Sequence, residues 1–291
     1  MPINGTLLKG VGGFYTALGD DGAEYVLRAR GIFRRDGVTP IAGDRVEMTP
    51  GAYGADGWLE RVLPRRNSFT RPAVANLDVI AVVIAPIPKP DMLLADKLLA
   101  AARAVNVKPI LVVNKIDLDE SIGGRVRAEY SLSCIRVEAV SAFDAESLEG
   151  PRNAMSGGVS CLAGQSGVGK TTLLSALTNR KLQAGEISRR SERGRHTTRH
   201  SELIVSDSLR VLDTPGFSLL NRPPVPPETV REWYPEFEPY EPLCRFQPCM
   251  HNTEPGCAVR EALAGTDACA RYERYLALLG EVRELWINRY R

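Results

Sequence analysis

Gly164-Gln165-Ser166-Gly167-Val168-Gly169-Lys170-Thr171 is the stretch on which the fold turns. It matches the phosphate-loop pattern in full: two glycines bracket four residues and are followed by a lysine and a hydroxyl residue. The apolar run Val159 to Ala163 before it reads as a strand, and the residues after it read as a helix. About fifty residues earlier stands Asn114-Lys115-Ile116-Asp117, a guanine-reading signature at the end of the run Pro109 to Val113. In the usual arrangement the phosphate loop comes first and the guanine signature near the end. Here the parts are complete but rotated along the chain, which implies a circularly permuted guanine-nucleotide-binding domain.

The surrounding pattern agrees. From Leu77 onward, apolar runs alternate with helical spacing. Leu77 to Ile84, Pro109 to Val113, Cys134 to Val140, Val159 to Ala163 and Leu209 to Leu212 read as strands. Asp91 to Val105 reads as a helix capped by Asp91, with Leu94, Leu98, Ala101 and Ala102 on one face. Alternation of this kind predicts a doubly wound α/β sheet with parallel strands, whose ligands gather at the carboxyl ends. Every motif falls at such an end.

Residues 1–70 look different. Short β-leaning pieces at residues 13–16, 24–27, 44–48 and 57–62 alternate with turns rich in Gly and Asp. A small closed barrel follows, with an OB-fold the natural size match and an SH3-like barrel the alternative. Residues 71–222 form the nucleotide-binding domain and residues 223–291 a mainly α domain holding most of the cysteines. The run Arg222-Pro223-Pro224-Val225-Pro226-Pro227 reads as an extended linker. A long helical pattern, Ala268 to Trp286, closes the chain.

At 291 residues the chain can hold two or three cores. Its charge balance, 37 basic against 35 acidic residues, does not announce a nucleic-acid binder as a whole. Basic residues gather locally between Arg180 and Arg199, either as a solvated loop or as a phosphate-contacting surface. No apolar run is long enough to span a bilayer and no secretory leader is recognisable, so a cytoplasmic protein without membrane contact is expected. Nothing suggests more than a monomer.

The chemistry can be assigned residue by residue. The loop glycines let backbone N–H groups from Gly164 to Thr172, Gln165, Ser166, Gly167, Val168 and Gly169 included, converge on phosphate. Lys170 is placed to bridge the β- and γ-phosphates, and the Thr171 hydroxyl to hold Mg²⁺. Asp117 can accept from the ring N–H and amino group of guanine, whereas adenine would set a bare acceptor against it. Lys115 packs its stem over the base, Asn114 braces the loops, and the Ala142 N–H after Ser141 reaches the guanine carbonyl. In Asp213-Thr214-Pro215-Gly216, Asp213 holds Mg²⁺ through water and the Gly216 N–H senses the γ-phosphate. Phe217 stands where a water-orienting glutamine is common, and a phenyl ring cannot orient water.

In Gly194-Arg195-His196-Thr197-Thr198, a threonine would complete the Mg²⁺ shell: Thr198 first, Thr197 second. A neutral His196 imidazole could position the attacking water, the alternative being an exposed loop histidine. Lys170, His196 and Gly216 make up the expected catalytic set. Cys244, Cys249, His251 and Cys257, separated by four, one and five residues, suit one tetrahedral zinc with no open position, hence a structural site. Four unrelated reduced side chains are the alternative, and Cys269 is a spare thiol. Cys134 and Cys161 read as small core residues.

With these residues in view, the chain resembles the RsgA (YjeQ/YloQ) family of ribosome small-subunit-dependent GTPases over its whole length. The resemblance rests on the permuted order, the loop 164–171, the segment 194–198, Asp213 to Gly216 and the Cys/His cluster. It implies an OB-fold, a GTPase domain and a zinc domain, with Mg²⁺ accompanying GTP or GDP. It implies GTP hydrolysis stimulated by the small (30S) ribosomal subunit, a role in late small-subunit maturation through 16S rRNA binding, and His196 as catalytic histidine. Arg199 departs from relatives that often carry a further threonine. An OB-fold reads irregular RNA by stacking and basic contacts, with Phe14, Tyr15, Arg34 and Arg35 as candidates. The rival readings are an RNA-binding scaffold timed by GTP and a P-loop kinase for a small molecule.

Overall fold

The computed structural model describes residues 1–291 apart from 32, 34–36, 53–54, 71, 181–200, 207–208, 214–224 and 290–291. Five strands, β1 (Ile3–Val11), β2 (Phe14–Gly19), β3 (Glu24–Ala29), β4 (Arg45–Thr49) and β5 (Gly57–Val62), close a barrel in the order β1-β2-β3-β5-β4. Antiparallel pairing of β1 with β4 completes the closure, and β3 runs parallel to β5. That order is the OB-like arrangement expected, although β1 escaped the sequence pattern. Leu7, Ala17, Leu27, Val46, Met48 and Leu59 fill the interior. The strand period of two turns the residues between them outward. A short hairpin follows, β6 (Ser68–Thr70) with β7 (Ala73–Ala75).

The central sheet has the order β10-β9-β8-β11-β13-β12. Its strands are β8 (Val79–Ile84), β9 (Lys108–Val113), β10 (Arg136–Ala139), β11 (Val159–Ala163), β12 (Glu202–Val205) and β13 (Arg210–Asp213). β10 runs parallel to β9, and β11 to β13. The edge strand β12 runs antiparallel to β13, a departure from the parallel sheet expected. Every residue of β8 is buried, as its unbroken apolar sequence requires. Among the described residues four helices interleave: α1 (Met92–Arg103), α2 (Ile122–Glu129), α3 (Glu149–Met155) and α4 (Lys170–Thr178). The Asp91 carboxylate caps α1 by accepting from the Leu94 N–H at 2.9 Å.

Beyond residue 224 come three 3₁₀ turns, Pro227–Trp233, Pro235–Phe237 and Glu241–Leu243, then α5 (Ala258–Leu263) and α6 (Cys269–Ile287). The proline run therefore gives way to a 3₁₀ turn at Pro227, and its first three residues, Arg222, Pro223 and Pro224, lie outside the described residues. Tyr234, Phe237, Tyr272 and Tyr275 pack ring against ring in the core of this region. Cys161 is buried in β11, as expected. Cys134 is not a core residue: it is exposed and sits in the turn before β10 with φ 53°. A left-handed residue cannot continue a strand. By contact the chain divides into two compact units. One is Met1–Ile80 with Arg152–Leu162 and Thr171–Leu220, and the other is Ala81–Pro151 with Ala163–Lys170 and Asn221–Arg291. Among the described residues no helix is long and apolar enough to cross a membrane.

Candidate nucleotide site and metal cluster

The phosphate loop joins β11 to α4. Its first glycine, Gly164, has φ +134°, and a Cβ there would lie 2.2 Å from the Val83 carbonyl oxygen. Gly169 has φ +90°, and its Cβ would meet Asn114 Nδ2 at 2.6 Å. No other residue type fits either place. Lys170 Nζ donates to the carbonyls of Gly164 and Gln165, each at 2.7 Å, so the ammonium lies over its own loop. Burial lowers its pKa from the ordinary lysine value. The Gln165 carboxamide oxygen accepts from the Asp91 N–H at 3.2 Å, and Val168 is fully buried.

The guanine signature leaves the end of β9 and locks onto that loop. Asn114 is 1% exposed, and its Nδ2 donates to the Val168 carbonyl at 2.9 Å. Lys115 takes a left-handed φ of 59°. Its Nζ donates to the carbonyls of Gly167 at 2.7 Å and Ile87 at 2.9 Å. Asp117 lies in a 3₁₀ turn, and its Oδ1 accepts from the Ser141 hydroxyl at 2.7 Å. Ser141 is braced in turn by Ser147, whose hydroxyl accepts from the Ser141 N–H at 3.2 Å. Ala142 follows in the turn after β10 and is half-buried. The ends of β9, β10 and β11 are thus tied by side chains whose sequence positions lie up to 54 apart. Ser147 was invisible to motif reading, because its role depends on a turn closing back on Ser141.

Thr171 and Thr172 open α4, the first half-buried and the second exposed. Asp213 ends β13 directly opposite Glu202. Burial raises its carboxyl pKa above the usual value, and the Glu202 charge adds to the rise. Gly194, Arg195, His196, Thr197, Thr198, Arg199, Thr214, Pro215, Gly216 and Phe217 lie outside the described residues, as do Arg34 and Arg35.

Cys244, Cys249, His251 and Cys257 come together, their ligand atoms all within 4.8 Å of one another and all four residues buried. Nδ1 of His251 lies 3.7 Å from Cys244 Sγ and 3.6 Å from Cys257 Sγ. Tetrahedral metal with thiolate and imidazole ligands would set such edges at about 3.5–3.8 Å. The donor set therefore fits a metal ion. Burial pushes the Cys249 thiol up to about 12 and raises Cys257 as well, so a cation is needed to hold them as thiolates. Backbone N–H groups support the sulfurs: His251 N on Cys249 and Arg260 N on Cys257, both at 3.4 Å. Glu241 faces the other imidazole nitrogen, Nε2, at 3.0 Å. A carboxylate there fixes the ring so that Nδ1 points at the sulfurs. Glu241 carries no sequence signal, since its spacing from the ligands is dictated by the 3₁₀ turn. Cys269 is no part of the cluster.

A phosphate loop at the end of β11, a guanine signature at the end of β9 and their inverted order along the chain define a circularly permuted P-loop GTPase. The family model of the RsgA GTPase matches residues 62–222, and that of the RsgA N-terminal domain matches residues 4–57. This chain belongs to the RsgA GTPase family. It is 39% identical to the small ribosomal subunit biogenesis GTPase RsgA of Ruminiclostridium cellulolyticum, over 97% of this chain and 94% of the relative. The protein of the same name from Geobacillus thermodenitrificans is 38% identical over 96% and 97%. Among solved structures, YjeQ from Thermotoga maritima superposes with a TM-score of 0.81 at 30% identity, covering 97% of this chain and 99% of that one. YloQ, described as a circularly permuted GTPase, gives 0.79 at 28% identity, covering 98% and 96%.

Proposed function

We propose that this protein hydrolyses GTP to GDP and phosphate when docked on the small (30S) ribosomal subunit, late in that subunit's assembly, and that it meets the subunit through 16S rRNA. The observation that carries the nucleotide part is the tie between three strand ends, Asn114 to Val168 and Ser141 to Asp117. Such a tie presets the guanine-reading carboxylate before nucleotide arrives, so little ordering cost falls on binding. The ribosomal part is supported by relatives that carry that role in their names. Three regions divide the work: residues 1–70 as RNA-binding OB-fold, 71–222 as GTPase, and 223–291 as zinc-binding domain.

Backbone N–H groups of Gly164 to Thr172 cradle the phosphates, and the Lys170 ammonium turns from its loop carbonyls to the β- and γ-oxygens. Asp117 selects guanine, with Lys115 and Asn114 holding its loop and the Ser141-Ala142 turn at the base carbonyl. Thr171, Thr198 and Asp213 are the residues that would hold the nucleotide's Mg²⁺, which offsets phosphate charge when bound. The Gly216 N–H senses the γ-phosphate. His196 positions the water that attacks it, breaking the bond to the bridging oxygen. Cys244, Cys249, His251 and Cys257 would hold one structural Zn²⁺. The protein works as a cytoplasmic monomer. Phe217 in place of a glutamine means turnover at roughly 10⁻⁴–10⁻³ s⁻¹ alone, and subunit docking is expected to raise it about 10³–10⁵-fold.

The test is GTP turnover by the purified chain alone, with small subunits and with large subunits. Stimulation by small subunits only is expected, and stimulation by neither would sink the reading. The His196→Ala variant should keep GTP affinity and lose the stimulation. If stimulated turnover survives, His196 is not the water-positioning group.

A further inference from the structure

The turn after β10 is held by hydrogen bonds at both ends and carries an exposed ring at its tip. Val140 ties the strand ends together. Its N–H donates to the Val113 carbonyl at 2.8 Å, and its carbonyl accepts from the Ile116 N–H at 3.3 Å. Ser141 then holds Asp117 through its hydroxyl at 2.7 Å. Residues 141–144 close a β-turn, with the Asp144 N–H on the Ser141 carbonyl at 3.0 Å. The Ser147 hydroxyl donates to the Asp144 carbonyl at 2.8 Å, and the Glu146 N–H donates to the Asp144 carboxylate at 3.1 Å. Ala142 and Phe143 are the two central residues of this turn. Among the described residues Phe143 is the most exposed large apolar side chain after the N-terminal methionine, at 86%. A phenyl ring in a core would contribute about 1.5–3 kcal/mol, which this one forgoes.

We propose that Phe143 stacks on the guanine base and covers the face that the Lys115 stem leaves open. The inference deepens the nucleotide reading and rests on Asp117 and the Ala142 N–H taking the edge of guanine. Lys115 supplies one wall, its Nζ pinned to the Gly167 and Ile87 carbonyls at 2.7 and 2.9 Å. Phe143 follows Ala142 directly, and consecutive Cα atoms lie 3.8 Å apart. A base held by the Ala142 N–H is therefore within one side-chain length of the ring. The same turn that aims the N–H aims the ring, so little ordering cost falls on the stack. Every nucleobase has a π-face, so the ring adds affinity, and the choice of guanine stays with Asp117. GDP and GTP gain equally, because the phosphates lie at the other loop. A protein partner would seek a larger apolar patch than one ring at the tip of a turn.

The test is calorimetric titration of the full chain with GDP, GTP, IDP and ADP. Phe143→Ala should weaken GDP and GTP alike, roughly 5–100-fold, the range for losing one stacked base. Phe143→Tyr should retain most of the affinity and Phe143→Leu should not, since a branched chain offers no flat face. The preference for GDP over IDP, which lacks the amino group that Asp117 reads, should be the same in Phe143→Ala as in the wild type. A shift in that ratio would show a distorted turn and overturn the stacking. In Phe143→Trp the added indole should be quenched when GDP binds, a signal that the wild type lacks. Tight GDP binding unchanged by Phe143→Ala would sink the stacking and leave the guanine reading intact, as would equal affinity in Phe143→Leu and Phe143→Tyr. Weaker small-subunit binding with unchanged nucleotide affinity would mark the ring as a subunit contact instead. A wild type that binds ADP as tightly as GDP would sink the guanine reading itself, and the stacking with it.

Discussion

At the scale of single residues, the nucleotide site is set by where a side chain cannot be. Gly169 packs its Cα against Asn114, and the Asn114 amide in turn holds the Val168 carbonyl. A methyl at 169 would meet Nδ2 at 2.6 Å and Lys115 Cε at 3.4 Å. The φ of +90° adds backbone strain of about 1–2 kcal/mol for any residue with a Cβ. Either the loop or Asn114 must move, and both belong to the guanine and phosphate cradle. Gly169→Ala is expected to fold as wild type and bind a fluorescent GTP analogue at least about tenfold more weakly. Circular dichroism and a nucleotide titration check this, and undiminished affinity would refute the cradle argument. These residues were legible because phosphate and guanine chemistry demand fixed types at fixed spacings. The left-handed Lys115 and the bracing Ser147 were not, since they answer to the turn that the chain makes and not to the ligand.

At the scale of elements, the strands and α1 could be read from periodicity, but the charges that join helices could not. Asp96 lies fully buried in the middle of α1, where the pattern promised only an apolar face. It pairs with Arg271 and Arg274 of α6 and accepts from the Tyr130 hydroxyl at 2.8 Å. Arg274 also pairs with Glu129 of α2, and Arg271 with the buried Glu236. The Arg271 guanidinium is sandwiched between the Tyr130 and Tyr234 rings, 4.9 and 4.7 Å from their centres. Partners up to 178 positions apart leave no local trace in a sequence, and a lone buried carboxylate looks like a surface residue of the helix. Removing one member of a buried network strands the others without water. Arg271→Met should therefore cost about 3–5 kcal/mol of stability. Lys9→Met, which breaks the exposed pair with Glu202, should cost at most about 1 kcal/mol. Urea unfolding of both variants measures the contrast, and equal small losses would show the network to be ornamental.

At the scale of the molecule, the metal cluster is one end of a line of contacts that runs through α6 to α1 and α2. The Tyr272 hydroxyl donates to the His251 carbonyl at 2.7 Å and the Tyr275 hydroxyl to that of Met250 at 2.6 Å, so α6 grips the ligand loop. The same helix carries Arg271 and Arg274 to α1 and α2, and α2 begins just after Asp117. Without a cation the raised thiol pKa values keep Cys249 and Cys257 neutral at pH 7, and four converging donors have nothing to bind. The ligand loop then keeps only its hydrogen bonds, among them the two tyrosine hydroxyls of α6, Arg231 on the Cys249 carbonyl, and Glu254 accepting from the Met250 and Asn252 N–H groups. Metal analysis should find one zinc per chain. Stripping it with a chelator, or substituting Cys257→Ser, should lower the melting temperature by several degrees and flatten the near-UV circular dichroism of the Tyr234, Phe237, Tyr272 and Tyr275 cluster. Nucleotide affinity should change far less, because the ligands' hydrogen bonds run to one another and to neighbours such as Glu241, Arg260 and Tyr272. Unchanged melting after complete removal would make the four ligands a bystander of a fold that α6 alone secures. A matching collapse of nucleotide affinity would instead make the ion network the path by which the metal region governs the guanine loop.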